Sequence, residues 1–295
     1  YTFAYDPVSR LVGTKQYING EASDLFVEKG LSYDRNGNIL TLKRTSGGVI
    51  ADSLVYGYTG NQLTALSGTI SPFDYTYDAN GNMTYDGANN LDLTYNLLNL
   101  TEKVSGSDGI EANYSYLSDG TKLSATDADG NGLYYLGSLV YGSRNGDLSL
   151  ESAAFNGGRF IVTSSGIEPH YFVTDHLGSV RAVVNNDGEV IERNDYYPFG
   201  LRWNAGELSD NRYRYNGKET QSFVDVPYTD YGARMLDSKY RLGWNGSDPL
   251  AEATPGFSPF AFCNNNPTRF VDHFGLQAED TLVVNKIEPV VITER

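Results

Sequence analysis

An aspartate, a histidine and a serine stand close together near the middle of the chain, and in a hydrolase these side chains could form a nucleophile and its base. They are Asp175, His176 and Ser179. Neighbouring residues of a strand point to opposite faces, and this stretch does not contain the Gly-x-Ser-x-Gly turn that exposes a nucleophilic serine. We therefore expect a structural role, in which Gly178 allows a tight bend and Asp175 and Arg181 bond backbone groups or each other.

A second acidic stretch has the spacing of the first half of a calcium-binding loop. It reads Asp127-Ala128-Asp129-Gly130-Asn131-Gly132. Such a loop needs a bidentate glutamate at its twelfth position, where this chain has Ser138. Because Asp, Asn and Gly are also the residues that tight turns require, we predict a hairpin turn here and no calcium.

Other metal and cofactor sites are not expected either. Zinc sites take several His or Cys ligands at short, defined spacing, and none of the three histidines is paired at such a spacing: His170, His176 and His273. Cys263 is the single cysteine, which excludes an intrachain disulfide. It follows Phe262 in an aromatic run and is predicted to be a small buried apolar residue. The prediction is therefore no metal and no cofactor.

Composition excludes several classes of partner. The 295 residues carry 22 basic and 37 acidic side chains, a formal charge of −15, which opposes binding to nucleic acid or anionic lipid. No apolar run approaches the roughly 20 residues of a membrane helix, so membrane insertion is not expected. Because the chain opens inside a repeat and without the pattern of a signal peptide, we expect it to continue a longer polypeptide whose export signal lies upstream.

The elements that position these side chains come from a repeat in the first half. Tyrosines followed by Asp, Asn or similar turn residues recur with a period near 20, at Tyr5, Tyr33, Tyr58, Tyr77, Tyr95 and Tyr116. Alternating apolar residues flank each turn, and Asn36-Gly37 suits a type I′ hairpin. Because one hairpin alone is marginally stable, neighbours must pair edge to edge. We therefore predict an all-β fold, with the hairpins in one continuous, curled antiparallel sheet.

The second half contains five ordered blocks between Tyr171 and Leu276. They read Tyr196-Tyr197-Pro198-Phe199-Gly200, Tyr215-Asn216-Gly217-Lys218-Glu219, Tyr231-Gly232-Ala233-Arg234-Met235, Asp248-Pro249-Leu250-Ala251-Glu252, and Ser258-Pro259-Phe260-Ala261-Phe262-Cys263-Asn264-Asn265-Asn266-Pro267. In this order they resemble the core domain that ends Rhs/YD-repeat proteins of the Bacteroidetes type. The resemblance implies a spiralling YD-repeat sheet, a partial shell or barrel, that the core domain closes or plugs. The alternative is an open, curved sheet with one free edge.

The same resemblance implies a division of the chain into four parts. They are a YD-repeat region over 1–145, a variable insertion or loop over 146–170, the core domain over 171–276 and a short variable tail over 277–295. The tail contains a β-prone run over 281–286. It is too short for an independent enzymatic domain.

Some Rhs-like proteins cut themselves after the leucine that ends the core, using acidic residues in the manner of an aspartyl protease. The resemblance assigns this role to Asp248 and Asp272, with cleavage after Leu276 and Arg241 as the arginine that orients a carboxylate. His273 stands where the family pattern has proline. The alternative is that both aspartates are structural turn residues, since Asp-Pro initiates turns without any catalysis.

The resemblance implies a shell or scaffold of a secreted or cell-surface polymorphic toxin, with at most one intramolecular cleavage and no turnover enzyme. Its partners would be its own C-terminal segment or upstream domains of the same polypeptide, and a secretion apparatus or immunity protein. Two alternatives stay open. One is a cell-surface adhesion or carbohydrate-binding module that uses exposed aromatic residues, and the other is a structural remnant without a toxin.

Overall fold

The computed structural model describes residues 1–107, 109–204 and 211–281, and its regular elements in these ranges are strands and short 3₁₀ turns. The strands are β1 (Thr2–Tyr5), β2 (Leu11–Ile18), β3 (Glu21–Ser23), β4 (Glu28–Tyr33), β5 (Ile39–Ser46), β6 (Val49–Thr59), β7 (Gln62–Gly68), β8 (Phe73–Tyr77), β9 (Met83–Asp86), β10 (Leu91–Tyr95), β11 (Thr101–Gly106), β12 (Glu111–Tyr116), β13 (Lys122–Thr126), β14 (Gly132–Leu136), β15 (Leu139–Arg144), β16 (Asp147–Phe155), β17 (Gly158–Thr163), β18 (Gly166–Thr174), β19 (Val180–Val184), β20 (Val190–Arg193), β21 (Glu219–Thr220), β22 (Thr229–Asp230), β23 (Met235–Asp237), β24 (Gly243–Trp244), β25 (Phe270–Asp272) and β26 (Ala278–Asp280). The 3₁₀ turns are Tyr215–Gly217, Ser222–Val224, Ala251–Ala253 and Phe262–Asn265.

Strands β1 to β20 form one antiparallel sheet in which nearly every strand pairs with its neighbours in sequence. The exception is near the start, where β2 pairs with β1, β3 and β4. Within the described ranges β1 pairs only with β2 and β20 only with β19, so the sheet is not closed. The prediction of an all-β fold with a continuous antiparallel sheet is confirmed. Residues 211–276 cover one face of the sheet and contact both edge strands: Thr268 bonds the hydroxyl of Tyr5 in β1 at 2.7 Å, and Arg214 lies 3.5 Å from Glu192 in β20. They plug the sheet, as predicted, but within the described residues no strand pairing closes it.

The alternation of side chains explains which face is covered. In β10 the side chains of Leu91 and Leu93 are buried, whereas Asp92 between them is exposed. In β7, Leu63 and Leu66 are three residues apart, yet both are buried in the same core, because the pairing with β6 shifts register between Gly57 and Tyr58 and inserts one extra residue between the leucines. A period of two, reset at such bulges, therefore gives each strand one apolar face, and these faces add up to a single apolar surface.

The Tyr-Asp repeats supply the turns between these strands. Asp34 Oδ1 accepts the N–H groups of Asn36 and Asn38 at 2.8 and 2.9 Å, and only Gly37, at φ 86°, has a positive φ in this turn. The predicted type I′ turn is therefore replaced by a type I turn followed by a bulge residue, whose extra residue shifts the register between β4 and β5. The same pair of side-chain bonds recurs at Asp6, Asp78, Asn96, Asp127, Asp175, Asn185 and Asp272.

Residues 146–170, predicted as a variable insertion or loop, contain β16, β17 and part of β18. These strands pair in register over Ser152–Phe155 and Gly158–Thr163. Their small side chains, such as Ser152 and Ala153, hide the alternation that marks a strand in sequence. In the tail, β26 pairs with β25, and the predicted β-prone run lies from residue 282 onward outside the described residues.

Residues 211–276, here called the docked segment, pack against the covered face of the sheet. Its buried aromatic centre is Trp244, whose ring lies 5.0 Å from that of Tyr231 and 5.3 Å from that of Phe262. These rings belong to the same core as the leucines of the sheet. The docked segment therefore supplies the second layer that a one-sided apolar sheet requires.

Buried polar contacts fix the docked segment on the sheet. Lys122 of β13 lies 3.0 Å from Glu219 and 2.7 Å from Asp230. Burial alone would raise the pKa of Glu219, but Lys122 and Arg212 lower it to about 2. Tyr228 donates to Asp86 of β9 at 2.6 Å. A buried charge is costly unless it is paired, so these contacts fix the position of the docked segment on the sheet.

Candidate functional site

The turn Asp272–Leu276 joins β25 to β26 and contains the leucine after which cleavage is predicted. Asp272 Oδ1 accepts the N–H groups of Phe274 at 3.0 Å and of Leu276 at 3.1 Å. Gly275 has a φ of 68°, and a Cβ at this position would lie 2.9 Å from the backbone nitrogen of Arg234. The turn therefore repeats the geometry of the Tyr-Asp turns and lies tightly against the backbone of Arg234.

Arg234, directly before β23, holds the end of this turn. Its side chain is 4% exposed. Its Nε donates to the carbonyl oxygen of Gly275 at 2.5 Å and its Nη2 to that of Leu276 at 3.0 Å. Burial lowers the pKa of Arg234 to about 10, although Asp248 and Asp272 act in the opposite direction. A guanidinium group therefore lies on the carbonyl of the predicted cleavage position.

The two predicted aspartates meet on the same guanidinium nitrogen. Asp248 Oδ2 lies 3.3 Å and Asp272 Oδ2 lies 3.7 Å from Arg234 Nη2. The other oxygen of Asp248 accepts the N–H of Leu250 at 2.8 Å, as in a turn. The fold thus brings together two carboxylates, one arginine and the carbonyl of Leu276.

The predicted arginine, Arg241, is placed elsewhere. Its guanidinium lies 5.4 Å from the ring centre of Tyr77 and 5.3 Å from that of Phe260, and its Nη1 contacts Met83 Sδ at 2.9 Å. Arg234 is the arginine that contacts the carboxylates, and sequence reasoning missed it. The block Tyr231-Gly232-Ala233-Arg234-Met235 was a signal, but Arg241 is nearer to Asp248 along the chain.

A small crevice of about 10 Å³ opens at this cluster and is lined by Arg234, Asp248, Leu276 and Gln277. That is on the order of the space for one water molecule. Cys263 also lines it, but burial raises the pKa of its thiol well above the ordinary value. Since the thiolate is the nucleophilic form, water between the carboxylates is the better nucleophile for this arrangement.

The sequence stretch around Asp175 and His176 forms a turn without a nucleophile. Asp175 Oδ1 accepts the N–H groups of Leu177 and Ser179, both at 3.0 Å. His176 Nε2 lies 3.0 Å from the carbonyl oxygen of Thr268, and the Ser179 hydroxyl accepts the N–H of Asn216 at 3.0 Å. These side chains bond backbone groups, in agreement with the structural role expected from the sequence.

An aromatic groove of about 270 Å³ lies beside this turn. Its aromatic walls are Tyr1, Phe3, Tyr5, Phe26, Tyr196, Tyr197, Trp203 and Tyr215. Trp203 stacks on Phe26 with ring centres 3.9 Å apart, and an ion pair of Arg181 with Asp195 forms the polar wall. The groove combines apolar ring faces with a neighbouring donor and acceptor.

Among the described residues there is no cluster of three or more His, Cys, Asp or Glu side chains that could hold a metal ion. The calcium-like stretch is used by its own turn, where Asp127 accepts the N–H groups of Asp129 and Asn131 at 2.9 and 2.8 Å. Helices long and apolar enough to span a membrane are also not found in the described part of the chain.

Comparison with solved structures identifies the fold. In the crystal structure of TcdB2-TccC3-Cdc42 a chain with 18% identity matches 93% of this protein at a TM-score of 0.60. A chain of the Photorhabdus luminescens Tc holotoxin pore, also with 18% identity, matches 97% at a TM-score of 0.53. The protein spans only 17% and 18% of those two chains.

Comparison with sequences identifies the family. Curated proteins give no significant match. The family model described as Teneurin YD-shell matches residues 1–204, which include the whole of the large sheet. The chain therefore belongs to the Teneurin YD-shell family.

Proposed function

We propose that this chain is a shell-type scaffold of a secreted or cell-surface toxin and that it cleaves itself after Leu276. The observation that carries the cleavage is the contact of Arg234 with the Leu276 carbonyl beside Asp248 and Asp272. The scaffold role is supported by a large sheet with one covered face. No turnover enzyme is proposed, because the candidate bond lies within the chain itself.

In the proposed reaction, Asp248 accepts a proton from a water molecule as the water oxygen bonds to the carbonyl carbon of Leu276. The oxyanion that forms is stabilised by Arg234, which already donates to that oxygen at 3.0 Å. The bond to the nitrogen of Gln277 then breaks, and Asp248 returns its proton to this nitrogen. Asp272 holds the turn through the N–H of Leu276. The products are a carboxylate on Leu276 and an amine on Gln277.

The wider setting is proposed from the relatives. The solved structures with this fold are described as TcdB2-TccC3 complexes and as a Tc holotoxin pore. By analogy, residues 171–276 are a core domain of the Rhs type, and the partners are upstream domains, the C-terminal segment, and a secretion apparatus or immunity protein. Export would depend on a signal upstream of this sequence.

Intact mass spectrometry tests the cleavage. We expect purified wild-type protein to lose residues 277–295, and the Asp248→Asn variant to keep them. Asp127→Asn is the control, because the carboxylate of Asp127 also accepts backbone N–H groups in a turn but lies between β13 and β14; it should be cleaved like the wild type. A wild-type chain of full mass would refute self-cleavage and leave a scaffold or a remnant without a toxin.

The aromatic groove favours a second candidate function, a carbohydrate-binding module. Ring faces accept the apolar faces of sugars, and Arg181 beside Asp195 offers a donor and an acceptor to hydroxyl groups. Trp203 lines the groove, whereas the other tryptophan, Trp244, is 1% exposed. Titration with cellotriose and maltotriose should therefore change the fluorescence of the wild type but not of Trp203→Phe. No change at millimolar sugar would exclude this function.

A further inference from the structure

The turn before the candidate bond is held by its backbone. Four consecutive carbonyl oxygens, those of residues 273–276, each accept a hydrogen bond from Lys218, Ala233 or Arg234. Lys218 Nζ donates to that of His273, and the N–H of Ala233 to that of Phe274 at 3.0 Å. Arg234 holds the last two. These contacts involve no side chain of the turn.

Lys218 is built into this position. Its ammonium lies 5.5 Å from the ring centre of Tyr231 and 5.9 Å from that of Phe274. The 3₁₀ turn before it is fixed, because Asn216 accepts a hydrogen bond from the Tyr231 hydroxyl at 2.7 Å and donates to the carbonyl oxygen of Leu177 at 3.1 Å. The backbone before Lys218 is therefore held in place, and from it the lysine side chain reaches the His273 carbonyl.

The His273 side chain is 50% exposed, and its Nε2 lies 4.0 Å from the carboxylate of Glu279, itself 63% exposed, so this contact adds little order to the turn. Proline at this second position of a turn would pre-set its φ. The chain itself shows that proline is compatible with such a turn, since Pro7 follows Asp6 where Asp6 accepts the N–H groups of Val8 and Arg10. Without proline, order in the 272–276 turn must come from contacts.

We propose that Lys218 is a positioning residue for the Leu276–Gln277 bond: by holding the His273 carbonyl it supplies the order that a proline at position 273 would give. This proposal rests on the proposed self-cleavage for its catalytic consequence only. The hydrogen bond from Lys218 to the His273 carbonyl belongs to the fold, and its effect on the turn is measurable in a protein that is not cleaved.

The kinetic test follows the appearance of the cleaved mass during cell-free synthesis. Lys218→Met should slow cleavage roughly tenfold, the scale of one charge-assisted hydrogen bond, whereas Lys218→Arg should stay close to the wild type. His273→Pro alone should change little, but in the Lys218→Met background it should restore most of the rate. A merely structural lysine would not be rescued by proline, so an unrescued double variant would overturn the proposal.

A second measurement tests the ordering of the turn independently of the cleavage reaction. In the uncleaved Asp248→Asn background, amide hydrogen exchange at Phe274 and Leu276 should rise roughly tenfold when Lys218 is replaced by Met. If Lys218→Met unfolds the protein, Lys218→Gln takes its place. If exchange rises but the wild-type protein is never cleaved, the proposed self-cleavage is refuted, whereas the ordering of the turn by Lys218 is supported. Unchanged exchange would refute the ordering of the turn by Lys218.

Discussion

Asp237 leads to a prediction about pH, because it is buried between the docked segment and the sheet. Its side chain is 3% exposed, and its Oδ1 accepts the N–H groups of Lys239 and Tyr240 at 2.7 and 3.1 Å. Burial, and then the charge of buried Asp86, raise the pKa of Asp237 from 3.8 to about 6 despite these donors. The folded protein therefore binds a proton at this site more tightly than the unfolded chain.

An acid with a raised folded-state pKa stabilises the fold at low pH, and this stabilisation is lost as the pH rises from the unfolded-state to the folded-state pKa. One pKa unit corresponds to about 1.4 kcal/mol, so ionisation of Asp237 costs about 3 kcal/mol at neutral pH. About 1 kcal/mol of this is already lost at pH 4.5. The free energy of unfolding should therefore fall by about 2 kcal/mol between pH 4.5 and 7.5 through this one group.

Replacing Asp237 with Asn removes the charge. The amide oxygen of Asn accepts the same two N–H groups, but its NH₂ would face the N–H of Arg241, which donates to Asp237 Oδ2 at 3.2 Å. Loss of that bond costs about 1 kcal/mol. We expect the variant and the wild type to be nearly equally stable at pH 4.5, and the variant to be about 2 kcal/mol more stable at pH 7.5.

Urea unfolding at pH 4.5, 6.0 and 7.5 measures this difference. At pH 4.5 carboxylates with lowered pKa values, such as Asp6 and Glu219, keep most of their contribution, and the part they lose is the same in the wild type and in the variant. Asp119→Asn is the control, since Asp119 is an exposed turn residue; its difference from the wild type should not change over this range. If the difference in unfolding free energy between Asp237→Asn and the wild type is also constant over this range, Asp237 does not titrate with a raised pKa in the folded protein.

Three further substitutions test the packing by urea unfolding. Arg44→Met leaves Glu28 buried without the partner it has at 2.8 Å, and should cost about 3–5 kcal/mol; a loss below about 1 kcal/mol would contradict a buried ion pair. Tyr228→Phe removes the 2.6 Å bond to Asp86 and should cost about 1.5–3 kcal/mol; no loss would mean that water replaces it. Gly68→Ala would place a Cβ 1.9 Å from a neighbouring carbonyl oxygen at φ 130°, and should cost at least about 2 kcal/mol.

The strands could be predicted because each repeat contains its own turn. Asp34 and Gly37 close the turn between β4 and β5 with bonds no more than four residues apart, so local sequence is enough. The turn type was not predictable, because Asn-Gly suits several turns and the choice depends on the side chain of Asp34. The resemblance implied a plugged sheet, but the contacts that hold the plug were not predictable, since they join distant residues, such as Tyr56 and the Tyr240 carbonyl, 184 residues apart.

The candidate site shows the same division. Asp248 was predicted for the site because it lies in one of the five blocks, and Asp272 because it lies four residues before Leu276, the leucine that ends the core in the family pattern. Arg234 could not be predicted, because β23 pairs with β24 and brings it to the two carboxylates only in the folded chain. Sequence distance favoured Arg241, which the fold directs toward Met83 and two aromatic rings.

The docked segment also determines how the sheet would respond to a pulling force. An up-and-down sheet that is pulled from its two ends can unfold sequentially at low force, because one hairpin separates after another. Here Asn266 bonds the Ser9 carbonyl at 2.8 Å, Asn265 bonds that of Gly37 at 2.7 Å, and Lys122 of β13 pairs with Asp230. These ties load distant hairpins in parallel, so tension on the chain would be shared among them until the docked segment itself yields.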